Sequence, residues 1–165
     1  MTSIDPPFDA PAFLFRPMTE VDGKDISAWR YEPPYDIYNT MAWDEMKERQ
    51  YEFADPDIRA AQYLSVTDSQ GELIGFCQLF PMNGLTRLGL GLRPDLRGKG
   101  WGSIFTRAIV HEALLRNPDH EIDLEVLAWN ERAINTYRKT GFEITDTYER
   151  NTPSGPGLFH CMVYT

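Results

Sequence analysis

The chain has 165 residues, 42% hydrophobic and 25% charged, which is enough for the core of one soluble globular domain. Its formal net charge of −9 and pI near 4.8 argue against a nucleic acid or an anionic membrane surface as partner, since both demand a basic face. Two cysteines, Cys77 and Cys161, are too few for a disulfide framework; they sit in apolar or alternating runs, which fits a cytoplasmic location, and no run approaches the length of a membrane span.

Residues 1–12 carry Pro6, Pro7 and Pro11 among small and acidic residues and read as a flexible N-terminal arm, without the basic and apolar regions of a leader. The domain proper is expected over residues 13–165. A short strand over 12–17 ends at Pro17. Thr19 has the character of a helix N-cap, with Glu20 and Asp22 in the first turn and Ile26 and Trp29 further on. Pro33 and Pro34 force a bend, and Ile37, Met41, Trp43 and Met46 predict a second helix over 36–51, broken at Asp55-Pro56-Asp57. A hairpin follows, with strands over 61–67 and 73–80 about the turn 68–72. The turn 81–84 leads into a strand over 85–92. A helix over about 100–116 is apolar on most sides, as a helix buried against a sheet would be. Next come a strand over 122–127 with Ile122, Leu124 and Val126 inward, and a short helix over 130–140 closed by Gly141. Two strands, over 142–150 and 157–164, flank the turn 151–156. This order describes one α/β (or α+β) domain around a mixed sheet.

The strand Leu88-Gly89-Leu90-Gly91-Leu92 empties into Arg97-Gly98-Lys99-Gly100-Trp101-Gly102-Ser103, where a helix begins. The first N–H groups of a helix lack intrahelical partners and carry partial positive charge, and glycines let backbone approach a ligand closely, so the run is a ready anion site. A P-loop fails here because Gly100 follows Lys99 and Arg93 stands where the first glycine belongs. A dinucleotide fingerprint fails because Ser103 occupies the third glycine position.

Arg97-x-x-Gly100-x-Gly102 resembles the signature of the GNAT acetyltransferase superfamily, and Asn130-x-x-Ala133-x-x-x-Tyr137-x-x-x-Gly141-Phe142 resembles its closing helix. The resemblance implies a mostly antiparallel central sheet flanked by helices, with splayed central strands. It implies acetyl-CoA as cosubstrate, with no metal: the pyrophosphate on the backbone of Arg97 to Ser103 (Gly98, Lys99, Gly100, Trp101 and Gly102 between them) and the pantetheine along Leu90, Gly91 and Leu92. Asn130 is then the side-chain contact to the cofactor arm, and Tyr137 the general acid that protonates the departing thiolate.

The pattern departs from the family at the general base. No carboxylate occurs from Leu73 to Arg93, and Thr86 and Arg87 stand where some members carry a glutamate. Glu125, sharing a strand face with Asp123, and His160 are the candidates, each against the plain reading of a surface or structural residue. The acceptor pocket is expected around Trp29, Tyr31, Glu32 and Tyr35, where aromatic faces beside carboxylates suit a cationic amine; the alternative is that the aromatics simply pack the helices. The segment from Trp29 to Tyr35 looks like one found in some uncharacterised bacterial members. The function expected is N-acetyl transfer to a primary amine of a small molecule, directly within a ternary complex, in a protein with no nucleic-acid or membrane partner and compatible with a homodimer. Two rival readings remain, a CoA-binding sensor without turnover and a peptide or protein N-acetyltransferase.

Overall fold

The computed structural model describes residues 10–165; most of the expected N-terminal arm therefore lies outside the described residues. Seven strands form one sheet: β1 (Leu14–Pro17), β2 (Tyr63–Thr67), β3 (Leu73–Met82), β4 (Leu85–Leu92), β5 (Glu121–Leu127), β6 (Phe142–Thr152) and β7 (Gly155–Tyr164). Their spatial order is β1-β2-β3-β4-β5-β7-β6. Every neighbouring pair is antiparallel except β4 and β5, which run parallel and are joined through α4 (Gly102–Arg116). The other helices are α1 (Glu20–Ser27), α2 (Trp43–Arg49), α3 (Pro56–Gln62) and α5 (Glu131–Thr140).

The period-2 pattern of the strands divides the core into two. Leu64, Val66, Cys77, Leu88, Ile122, Leu124, Val126 and Met162 meet Phe105, Ile109, Val110 and Ile134 of α4 and α5. On the opposite face Met18, Ile26, Met46, Phe53 and Tyr63 pack with Trp29, Trp43 and Phe76. Thr19 caps α1 in a reciprocal capping box with Asp22, and Gly141 ends α5 at φ 110°. Asp22 does more than cap. Its carboxylate also receives Arg16 of β1 and the Ser65 hydroxyl of β2 (2.8 Å). Burial would push Asp22 up, but the hydrogen bonds from Arg16, the Thr19 backbone and Ser65 outweigh it and hold the group at about 2.

Several boundaries differ from the sequence expectation. The helix expected over 36–51 is a 3-10 turn at Tyr35–Tyr38, an extended link, and then α2. Asn39 explains the break: its side-chain oxygen accepts from the Tyr31 N–H at 2.7 Å, and Thr40 donates to the Ser27 carbonyl, so side chains compete with the helical ladder. Asp55-Pro56-Asp57 starts a helix instead of merely ending one. Asp55 caps α3 by accepting from the N–H groups of Asp57 and Ile58, with Pro56 in the first turn, so β2 begins at Tyr63 and not at 61. β3 runs on through Pro81 to Met82, and β6 and β7 extend to a tight turn at Pro153-Ser154.

Candidate active site

The sheet splits between its two parallel strands. β4 and β5 pair only from Leu85 opposite Glu121 to Leu88 opposite Leu124. Beyond that point β4 stays with β3 as far as Leu92, while β5 stays with β7 as far as Leu127. The Arg93 N–H donates to Ile74 on β3, so the groups of Leu92 and Leu90, on the opposite edge, face the split. A cavity of about 700 Å³ threads this opening. Leu90, Leu96, Phe105, Ala133 and Tyr137 line it on the α4/α5 side, and Trp29, Tyr31, Phe76 and Phe159 on the other. Gly91 lets the Phe76 ring pack on the β4 backbone at the cavity wall, since a Cβ there would lie 2.2 Å from that ring.

At the α4/α5 end the loop after β4 reverses through Gly98 and Gly100, both left-handed at φ 79° and 80°, into the first turn of α4. No side chain caps that turn and no acid sits in it, so its N–H groups remain available to an anion. Gly98, Gly100, Trp101 and Gly102 line the cavity together with the cations Arg97, Arg132 and Lys139. Trp101 is 7% exposed, and its indole N–H is buried without a partner among the described residues. Lys99 lies over the Trp101 ring at 5.5 Å; Ser103 belongs to the first turn of α4.

Asn130 is the N-cap of α5, its side-chain oxygen accepting from the Ala133 N–H at 3.2 Å and its NH₂ donating to the Tyr38 hydroxyl at 2.9 Å. Tyr137 lines the cavity two turns further along the same side of α5, its ring packed edge-on to Phe142. Burial is the main cause that raises the Tyr137 phenol well above its ordinary range; Tyr38 adds to the rise and Arg97 opposes it.

The segment from Trp29 to Tyr38 straps the split. Tyr31 donates its hydroxyl to the Leu92 carbonyl at 2.8 Å, and burial raises its phenol to about 12. The Arg97 guanidinium lies over both the Tyr31 and Tyr35 rings, 5.1 and 4.2 Å from their centroids. Trp29 and Tyr31 line the cavity. Tyr35 does not line it and packs at a tilt on Trp129, and Glu32 is exposed and lies off the cavity wall.

Across the sheet the opening continues into a second hollow of about 600 Å³, which shares Leu88, Gly89, Glu125 and Phe159 with the first. Glu125 stands at the junction and is heavily engaged: Arg87 at 3.3 Å, Arg150, and the Tyr148 hydroxyl all reach its carboxylate. Asp123 beside it receives Arg87 through two bonds of 3.0 and 2.9 Å. That strand face is therefore an ion-pair cluster beneath β6 and not an open surface. His160 pairs with Thr147 at 2.7 Å and lines neither hollow. Glu52, Gln78, Phe80, Met82, Tyr148 and Phe159 also line the second hollow, none of which the sequence singles out. Only strand alternation on β4 and β5, which aligns Arg87 with Asp123, carries a local signal for any of this wall.

The acetyltransferase (GNAT) family model matches residues 24–142. Among solved structures, a chimeric Vibrio cholerae spermidine N-acetyltransferase aligns with 92% of this chain and 94% of its own, at 20% identity and a TM-score of 0.77. A dodecameric spermidine N-acetyltransferase from Vibrio cholerae aligns over 92% of both chains at 20% identity and a TM-score of 0.68. AAC(6')-Ib in complex with ribostamycin and coenzyme A aligns over 93% of both chains at 25% identity, with a TM-score of 0.70.

Proposed function

Because the chain belongs to the acetyltransferase (GNAT) family and is an acyltransferase, we propose that it acetylates a primary amine of a small molecule, with acetyl-CoA and the amine bound together and the acetyl group passing directly between them. The observation that carries this reading is the split between β4 and β5, with a cationic, N–H-rich cradle on one side and a separate hollow on the other. The cradle fits the cosubstrate. The uncapped turn of α4, the unpartnered Trp101 indole N–H and Arg97, Arg132 and Lys139 are donors suited to phosphate in a chain of net charge −9. Leu90 and Leu92 offer a strand edge with no partner strand to an extended amide arm, the Leu92 carbonyl already accepting from Tyr31, and the side-chain NH₂ of Asn130 lies at the same opening.

Acetyl-CoA would supply the activated acyl group as a thioester. In the transfer a carbon–nitrogen bond forms, the carbon–sulfur bond breaks, the amine gives up a proton and the sulfur gains one. The Leu90 N–H on the open edge is a backbone donor for carbonyl polarisation. Tyr137 is assigned as the proton donor: its raised phenol stays protonated throughout the working pH range, and its ring lines the slot. Glu125, with Arg87, Arg150 and Tyr148 already on its oxygens, shapes the wall of the amine side.

Direct transfer is supported by the placement of the thiols, since Cys77 and Cys161 are buried and line neither hollow. A hollow of about 600 Å³ suits a small acceptor, and the similar structures include a spermidine N-acetyltransferase and AAC(6')-Ib in complex with ribostamycin. The test is thiol release from acetyl-CoA with a panel of amines, amino acids and basic peptides. Amine-dependent release with small amines is expected; tight acetyl-CoA binding without release for any amine would overturn the reading in favour of a sensor.

A further inference from the structure

The second hollow carries an asymmetry of charge. At the Glu125 end the carboxylates of Asp123 and Glu125 are matched by the guanidinium groups of Arg87 and Arg150. At the other end stands Glu52, whose partners are neutral: the Tyr63 hydroxyl donates to Oε2 at 2.6 Å and the Gln78 amide at 3.5 Å. Among the described residues no cation pairs with it, and Oε1 is left without a donor. The carboxylate does not swing freely. Glu52 is left-handed at φ 52° in the 3-10 turn before α3, and Tyr63 behind it is buried in the aromatic cluster of Phe53 and Phe76. Gln78, whose amide is fixed by Gln62 at 2.7 Å, lies in register with Gly89, the first residue past the split. Phe80, Met82 and Phe159 supply the apolar part of the wall.

Resting on the acetyl-transfer reading above, we propose that Glu52 anchors a second, non-reacting ammonium group of the acceptor, so that the preferred substrate is a short diamine or polyamine. A nitrogen that attacks a carbonyl must first be neutral, whereas a carboxylate stabilises the charged form of its partner. An uncompensated carboxylate set one glutamine side chain away from the split is therefore suited to the nitrogen that does not react. The aliphatic spacer of such an amine lies along Phe159, which lines both hollows, and the far ammonium meets Oε1 of Glu52.

The experiment compares 1,4-diaminobutane with butylamine, which differ only in the second nitrogen, as acceptors for wild type, Glu52→Gln and Tyr63→Phe. Wild type is expected to show a KM for the diamine about tenfold or more below that for the monoamine, the scale of one charge-assisted contact. Glu52→Gln should erase that preference by raising the diamine KM far more than the monoamine KM, with acetyl-CoA affinity unchanged. Tyr63→Phe keeps the carboxylate but frees it, and should raise the diamine KM by a smaller factor. Equal KM values for the two amines in wild type, readable without any variant, would overturn the anchor while leaving acetyl transfer standing. A fall in kcat shared by both amines in Glu52→Gln would also overturn it, because the residue would then be acting on the reacting nitrogen. Absence of turnover with any amine despite bound acetyl-CoA would remove the transfer reading and the anchor together.

Discussion

The slot along Leu90 to Leu92, the Arg97–Ser103 loop and α5 comes from one nearly continuous stretch, and backbone does most of its work: an unpaired strand edge, two left-handed glycines and an uncapped helix turn. The hollow on the other face draws Glu52, Gln78, Arg87, Glu125, Tyr148 and Phe159 from as many separate elements, and side chains do its work. Backbone geometry depends on where glycine and proline stand and is insensitive to most substitutions around it. Side-chain walls can be rebuilt residue by residue without disturbing the fold. A scaffold divided in this way keeps one donor and is free to change acceptors, so substitutions on the two sides should separate donor affinity, turnover and acceptor KM.

The largest separation is expected at Tyr137. Tyr137→Phe removes the proton donor and keeps the ring that packs on Phe142, so kcat should fall about 100-fold with acetyl-CoA affinity unchanged, as read by steady-state kinetics beside calorimetry. An unchanged kcat would leave Tyr137 a packing residue of the slot.

The frame of the acceptor side is electrostatic where that of the donor side is conformational. Asp22 ties α1 to β1 and β2, and Asp22→Asn should cost about 2 kcal/mol of stability, the linkage equivalent of holding a carboxyl at about 2 instead of near 3.8. Because the folded-state value is depressed, this contribution is full above the unfolded value and is lost as pH falls from about 4 towards 2. Thermal unfolding of the two proteins should accordingly converge across that window. At neutral pH the variant should raise the acceptor KM more than the acetyl-CoA KM.

At Gly100 the expected effect is smaller and falls on the donor alone. A valine at φ 80° costs about 1–2 kcal/mol, and the free loop relaxes out of the left-handed region to avoid it. Binding must restore that conformation, so Gly100→Val should weaken acetyl-CoA binding about tenfold while the acceptor KM at saturating acetyl-CoA stays constant.

The same division explains what was legible in the sequence. The seven strand segments, the glycine turn before α4, the cap at Thr19 and the glycine closing α5 are local signals, and each stands where its residues pointed. The helix expected over 36–51 failed because Asn39 and Thr40 bond to backbone elsewhere, a tertiary event that periodicity does not register. α3 was hidden because Asp-Pro-Asp breaks one helix and begins the next with the same residues. Glu52 could not be found at all. It reaches the hollow through a left-handed backbone and is steadied by Tyr63 and Gln78 from two other elements, so nothing beside it in the chain marks it.

The smallest expected effect lies where the two sides touch. Asn130 serves three partners in principle: its oxygen caps α5, its NH₂ meets Tyr38 of the strap, and that same NH₂ is the group assigned to the cosubstrate arm. Tyr38→Phe removes the strap bond and leaves the amide intact. If that bond merely occupies the amide until the cosubstrate arrives, the variant should bind acetyl-CoA as well as wild type or up to about threefold more tightly, since one neutral hydrogen bond no longer has to be exchanged. Asn130→Asp keeps a capping oxygen, so thermal stability should hold, but it presents a carboxylate where an N–H donor stood. Acetyl-CoA binding should then weaken several-fold. Equal weakening in both variants would mean that the strap and the cosubstrate need the Tyr38–Asn130 pair together, and the boundary between a backbone-built donor side and a side-chain-built acceptor side would have to move to include the strap.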